Sequence, residues 1–115
     1  DLTARLLFPM WELQGNEADI TVMRVIVEGL KDGVGTRYTW DLFDRKNETT
    51  GVHSMARTTG YTATVAARMI ADGLWDRAGV SPPEYVGRDH QCVDYLLRGL
   101  AERGVVYEER VERTG

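Results

Sequence analysis

The sequence predicts an α+β domain: a small antiparallel or mixed sheet with two main helices packed on it. Two observations carry this. Residues 20–28 and 37–44 alternate with the two-residue period of strands, with a short glycine-rich link between them. Residues 56–73 and 89–104 instead repeat apolar positions at helical spacing, and each run closes on a glycine.

Taken in order, Leu2, Leu6 and Leu7 share a short helical face that ends before Pro9, because the residue before a proline is pushed out of helical geometry. Residues 14–19 are polar, include Gly15 and Asn16, and read as a loop. The strand over 20–28 sets Thr21, Met23, Val25 and Val27 against Ile20, Val22, Arg24, Ile26 and Glu28. Both sets are substantially apolar, which predicts a central strand or one covered on both sides. A turn over 29–35 leads to the second strand, with Tyr38, Trp40 and Leu42 on one face and Arg37, Thr39, Asp41 and Phe43 on the other. So short a link favours antiparallel pairing. Residues 52–55 read as a short third strand. Residues 74–87, with Gly79 and Pro82-Pro83, read as extended and irregular. Asp89 or a neighbour starts a helix with Val93, Leu96, Leu97 and Leu100 on one stripe, and Gly104 ends it. A last strand covers 105–111, before a frayed tail.

The chain has 115 residues, enough for one domain that buries roughly two thirds of its surface. Its net charge of −4 argues against non-specific nucleic-acid binding, which usually needs a basic face. Cys92, the single cysteine, excludes an internal disulfide and is compatible with a reducing compartment. No stretch approaches the roughly 20 apolar residues of a membrane span. No secretory leader is visible at Asp1-Leu2-Thr3-Ala4-Arg5. We therefore expect a cytoplasmic protein without membrane or nucleic-acid partners. The first residue is not methionine, and we expect a piece of a longer protein.

The chemistry concentrates on Ala56-Arg57-Thr58-Thr59-Gly60-Tyr61-Thr62-Ala63. Thr58 or Thr59 reads as the N-cap of a helix that Gly73 closes, with Tyr61, Val65, Ala66, Met69 and Ile70 on its buried stripe. A helix N-terminus presents free amides and about half a positive charge. With two hydroxyls, a glycine and Arg57 beside it, that start suits a carboxylate or a phosphate. An ordinary capped helix with a surface arginine is the plainer alternative.

Other motifs weigh less. Gly33-Val34-Gly35 lacks the third glycine of a dinucleotide fingerprint and precedes a strand, so it reads as a hairpin turn. His53 and His90 lack metal-ligand spacing. Cys92 reads as a small core residue. Ser54 beside His53 is no catalytic pair, because neighbours on a strand point apart. Asn47-Glu48-Thr49 matches a glycosylation acceptor with nothing else to indicate secretion. Trp11, Trp40 and Trp75 read as core or interface material. A buried Arg24 would need a carboxylate, Glu28 or Asp41, or an anionic ligand.

Five segments appear in a familiar order: Thr21-Val22-Met23-Arg24-Val25, Asp41-Leu42-Phe43-Asp44-Arg45, Met55-Ala56-Arg57-Thr58-Thr59-Gly60-Tyr61-Thr62-Ala63, Gly79-Val80-Ser81-Pro82-Pro83-Glu84 and Leu100-Ala101-Glu102-Arg103-Gly104-Val105. This order resembles the saccharopine dehydrogenase and lysine 6-dehydrogenase family from about residue 19 to 111. The Ala-Arg-Thr-Thr-Gly-Tyr run is its most specific part. The resemblance implies a C-terminal domain of the glyceraldehyde-3-phosphate-dehydrogenase-like type, serving substrate binding and dimer contacts. It implies a separate N-terminal Rossmann domain that holds NAD or NADP, and none bound to this chain. It implies hydride transfer at a carbon–nitrogen bond of an amino acid such as lysine or saccharopine. Arg57, Thr58, Thr59, Gly60 and Tyr61 then become the expected binders of the substrate carboxylate. A dimerisation module and a free-standing ligand-binding regulatory domain are the other function classes.

Overall fold

The computed structural model describes residues 2–12 and 17–113. Its elements are α1 (Leu2–Trp11), β1 (Ile20–Lys31), β2 (Val34–Arg45), α2 (Ser54–Ala71), α3 (Pro83–Val86), α4 (His90–Ala101) and β3 (Tyr107–Arg113). The strands form one antiparallel sheet in the order β1-β2-β3. The fold is α+β, as the alternation of periods predicts, with α2 and α4 packed together and α2 resting on β1 and β2.

The hairpin follows from its turn. Asp32 and Gly33 both take positive φ, 54° and 78°, the geometry of a two-residue turn whose twist matches the flanking strands. Lys31 pairs with Val34, and the register runs unbroken to Ile20 opposite Arg45. Because the period is two, Leu42 turns inward to join Leu100 and Val105, with Tyr61 and Tyr107 packed against them. Val65, Met69 and Cys92 are fully buried apolar side chains of α2 and α4. Gly99 allows the two helices to meet, since a Cβ there would lie 2.7 Å from Val65 Cγ1.

Several sequence expectations need correction. Among the described residues β1 is an edge strand, not a central one, and its residues from Val22 to Leu30 are exposed. α1 continues through Pro9: the ring removes one amide, but Glu12 N donates to Phe8 O and the ladder resumes beyond it. Residues 52–55 are not a strand, because α2 already begins at Ser54. Within 74–87, α3 starts at Pro83, where a proline lacking its amide suits a first helical turn. Val105 is buried ahead of β3, which runs on to Arg113. The loop expected over 14–19 lies partly outside the described residues, and 17–19 have no regular structure. Asp89 does cap α4, accepting from the amides of Gln91 at 2.9 Å and Cys92 at 3.4 Å.

Candidate functional site

The start of α2 is closed by a carboxylate from far upstream. Its N-cap residue, His53, makes no side-chain cap. Asp19, just before β1, accepts instead from the amides of Ser54 at 2.6 Å and Met55 at 2.8 Å, and lies 3.3 Å from His53 Nδ1. Burial pushes the Asp19 carboxyl up, yet the Met55 and Ser54 amides and His53 together outweigh it and hold it below the ordinary aspartate value. The anion that suits a helix N-terminus is thus the protein's own.

One turn further along lies a buried charge pair. Asp44, inward-facing on β2, accepts from Arg57 Nε and Nη2 at 3.2 Å and from the Ser54 hydroxyl at 2.7 Å. Ser54 has one proton, so its 2.8 Å contact with the Thr21 hydroxyl needs Thr21 as donor. Arg57 Nη2 also reaches the Arg103 carbonyl at 3.2 Å, across from Gly104. The guanidinium stands 5.5 Å from the centre of the Tyr61 ring. Arg57 is 6% exposed and Asp44 5%, so the pair ties α2, β2 and the α4–β3 link together away from water. Hydrogen bonding to Asp44 raises the Arg57 pKa further above its already high ordinary value. Above the pair opens a cleft of about 430 Å³, lined by Phe43, Arg45, Lys46, Glu48 and Thr49 among others.

The expected site residues do not converge. Thr58 and Thr59 are not caps: the helix begins four and five residues before them, and the Thr58 hydroxyl donates back to Ser54 O at 3.0 Å. Thr59 and Gly60 are exposed, and Tyr61 packs on the core. Successive helical residues point about 100° apart, so Arg57 to Tyr61 radiate around α2, and their amides belong to its interior. The free amides that made Thr58, Thr59, Gly60 and Tyr61 an anion site are therefore not there. Only Arg57 lines the cleft. Asp44, Ser54 and Asp19 were the residues missed. Only Asp44 left a signal, as a carboxylate at an inward position of a strand.

Other candidates resolve quietly. His53 and Ser54 turn to different carboxylates, Asp19 and Asp44. Burial and nearby Asp89 push the Cys92 thiol up, which suits a core residue rather than a nucleophile. Among the described residues, no three His, Cys, Asp or Glu side chains gather as a metal site would require.

The saccharopine dehydrogenase C-terminal domain family matches residues 1–105. The chain belongs to that family. The matched span includes both strands of the hairpin, the buried pair and both main helices, and ends just before β3. Full-length members of the saccharopine dehydrogenase family are oxidoreductases. No solved structure matches the chain. Neither glycine-rich turn nor helix start offers the phosphate turn of a dinucleotide site here: in this saccharopine dehydrogenase domain Gly33 and Gly35 belong to a hairpin, and Asp19 already occupies the start of α2. No helix here is long and apolar enough to cross a membrane, among the described residues.

Proposed function

We propose that this chain is the substrate and dimer domain of an NAD(P)-dependent oxidoreductase acting at the carbon–nitrogen bond of an amino acid. The family match over residues 1–105 carries this reading. The nucleotide would sit on a separate Rossmann domain, which would also close the cleft beside Asp44 and Arg57. Within the cleft, Arg57 is the candidate for the substrate carboxylate. Its Nε and Nη2 are engaged by Asp44 and the Arg103 carbonyl, and its guanidinium faces the cleft beside Tyr61. A carboxylate there would make Arg57 a bridge between two anions.

A second reading rests on the two-pronged contact with Asp44: Arg57 is a brace that holds the cleft in shape. Steady-state kinetics and melting of the full-length protein separate the two. If Arg57 grips substrate, Arg57→Lys lowers kcat/KM at least tenfold while the melting temperature changes little. If it braces, melting falls first and activity follows it. Unchanged kcat/KM and unchanged melting would remove Arg57 from both roles.

A further inference from the structure

The outer edge of β1 meets no strand among the described residues. It is twelve residues long, has no proline, and pairs with β2 without a bulge. Isolated proteins usually blunt such an edge, because its unpaired amides and carbonyls template another strand. β1 is also apolar on both faces, with Val22 70%, Ile26 54% and Leu30 80% exposed on one and Val25 42% and Val27 52% on the other.

We propose that a second copy of this chain adds its own β1 antiparallel to this edge, about a two-fold axis through Ile26, to make one continuous six-stranded sheet. This deepens the dimer role proposed above and rests on it. A two-fold axis normal to the sheet keeps like faces together, so side chains on one face of β1 oppose the same face of the partner. Centred on Ile26, Arg24 opposes Glu28 of the partner subunit, Val22 opposes Leu30 of the partner subunit, and Val25 opposes Val27 of the partner subunit. Ile26 meets its own copy. Neighbouring centres do worse. Arg24 or Glu28 at the axis would oppose itself, a like-charge contact. Val25 at the axis would set Glu28 against Val22, and Val27 would set it against Ile26.

Charges already in place extend the match. Arg110 Nη2 lies 2.6 Å from Asp41, Arg24 Nε lies 2.5 Å from Asp41, and Arg37 pairs with Glu28. Across the axis the series becomes Arg110, Asp41, Arg24, Glu28 of the partner subunit and Arg37 of the partner subunit. The signs alternate throughout, and symmetry repeats the series. Surface area is also in excess. The chain exposes 8966 Å², whereas a compact protein of its mass exposes about 6,300 Å². The surplus exceeds the roughly 800 Å² that each partner contributes to a standard interface.

Cysteine cross-linking of the full chain tests both edge and register, with buried Cys92 as the only other cysteine. Opposed residues across antiparallel strands lie about 4.5–5.5 Å apart at Cα, within disulfide reach. Mild oxidation of Ile26→Cys should give a disulfide-linked dimer. Val22→Cys alone should not link, since its two copies would sit about 27 Å apart along the strands. Mixed with Leu30→Cys it should link. Light scattering on the unmodified chain completes the set. A dimer whose Ile26→Cys form does not link, or whose Val22→Cys form links to itself, overturns this edge or register and leaves the dimer reading standing. A monomer at tens of micromolar overturns both.

Discussion

At the scale of single residues, the pair Asp44–Arg57 is the most consequential feature. Both charges are buried, so removing one strands the other. Arg57→Ala should cost about 3–5 kcal/mol in chemical denaturation, the range for breaking a buried pair from one side. Arg57→Lys should cost less, because it keeps the charge and loses only the two-pronged geometry. The sequence made an anion partner for Arg57 legible but not its identity. Asp44 lies thirteen residues away on a strand whose inward face is fixed by pairing, not by local pattern. Asp19 offers a second test, through pH. Its folded-state pKa is depressed, so the stability it contributes is complete above the ordinary aspartate value of about 3.9 and is lost as pH falls through the depressed value. Asp19→Asn should therefore melt lower near neutrality and lose less stability than the parent chain between about pH 5 and pH 2. Parallel melting curves across that range would assign the acid response to other carboxylates, Asp41 first among them, since Arg24 and Arg110 hold its pKa down as well.

At the scale of elements, the helix contact turns on Gly99. Alanine is the better helix former by up to about 1 kcal/mol, but its Cβ would press on a buried, β-branched Val65 with little freedom to move. Gly99→Ala should therefore destabilise by about 1–3 kcal/mol. Combining it with Val65→Ala should cost less than the sum of the two single changes in a double-mutant cycle. Elements with local signals were legible. The hairpin announced itself through its glycine-rich turn, and α4 through Asp89 and the Val93-to-Leu100 stripe. The start of α2 was not, because its capping carboxylate comes from thirty-five residues upstream and no local window contains both. Threonines inside a helix look like caps when the true cap is remote. Here the Thr58 and Thr62 hydroxyls donate to the carbonyls of the preceding turn.

At the scale of the whole molecule, the chain is more extended than its length requires. Its radius of gyration is 17.9 Å, against about 13 Å for a compact chain of this size. α1 has no buried residue although Leu2, Leu6, Phe8, Met10 and Trp11 lie along it. Apolar residues on both faces of β1 predict a central strand or one covered on both sides. Among the described residues the strand is an edge, and both of its faces are exposed. Isothermal titration of the isolated chain with NADH and NADPH should give no micromolar binding, since the hairpin glycines form no phosphate turn. A micromolar isotherm would place the nucleotide site on this domain after all.

If the exposed edge of β1 is completed only by a second copy, the folded state becomes a matter of mass action. Dilution then acts as a mild denaturant, and a melting temperature has no meaning without a concentration beside it. Each tenfold increase in protein should raise the midpoint by roughly 3 °C for a dimer of this size, read by scanning calorimetry across a dilution series. In a cell, two copies made near one another would fold where the same copies far apart would not.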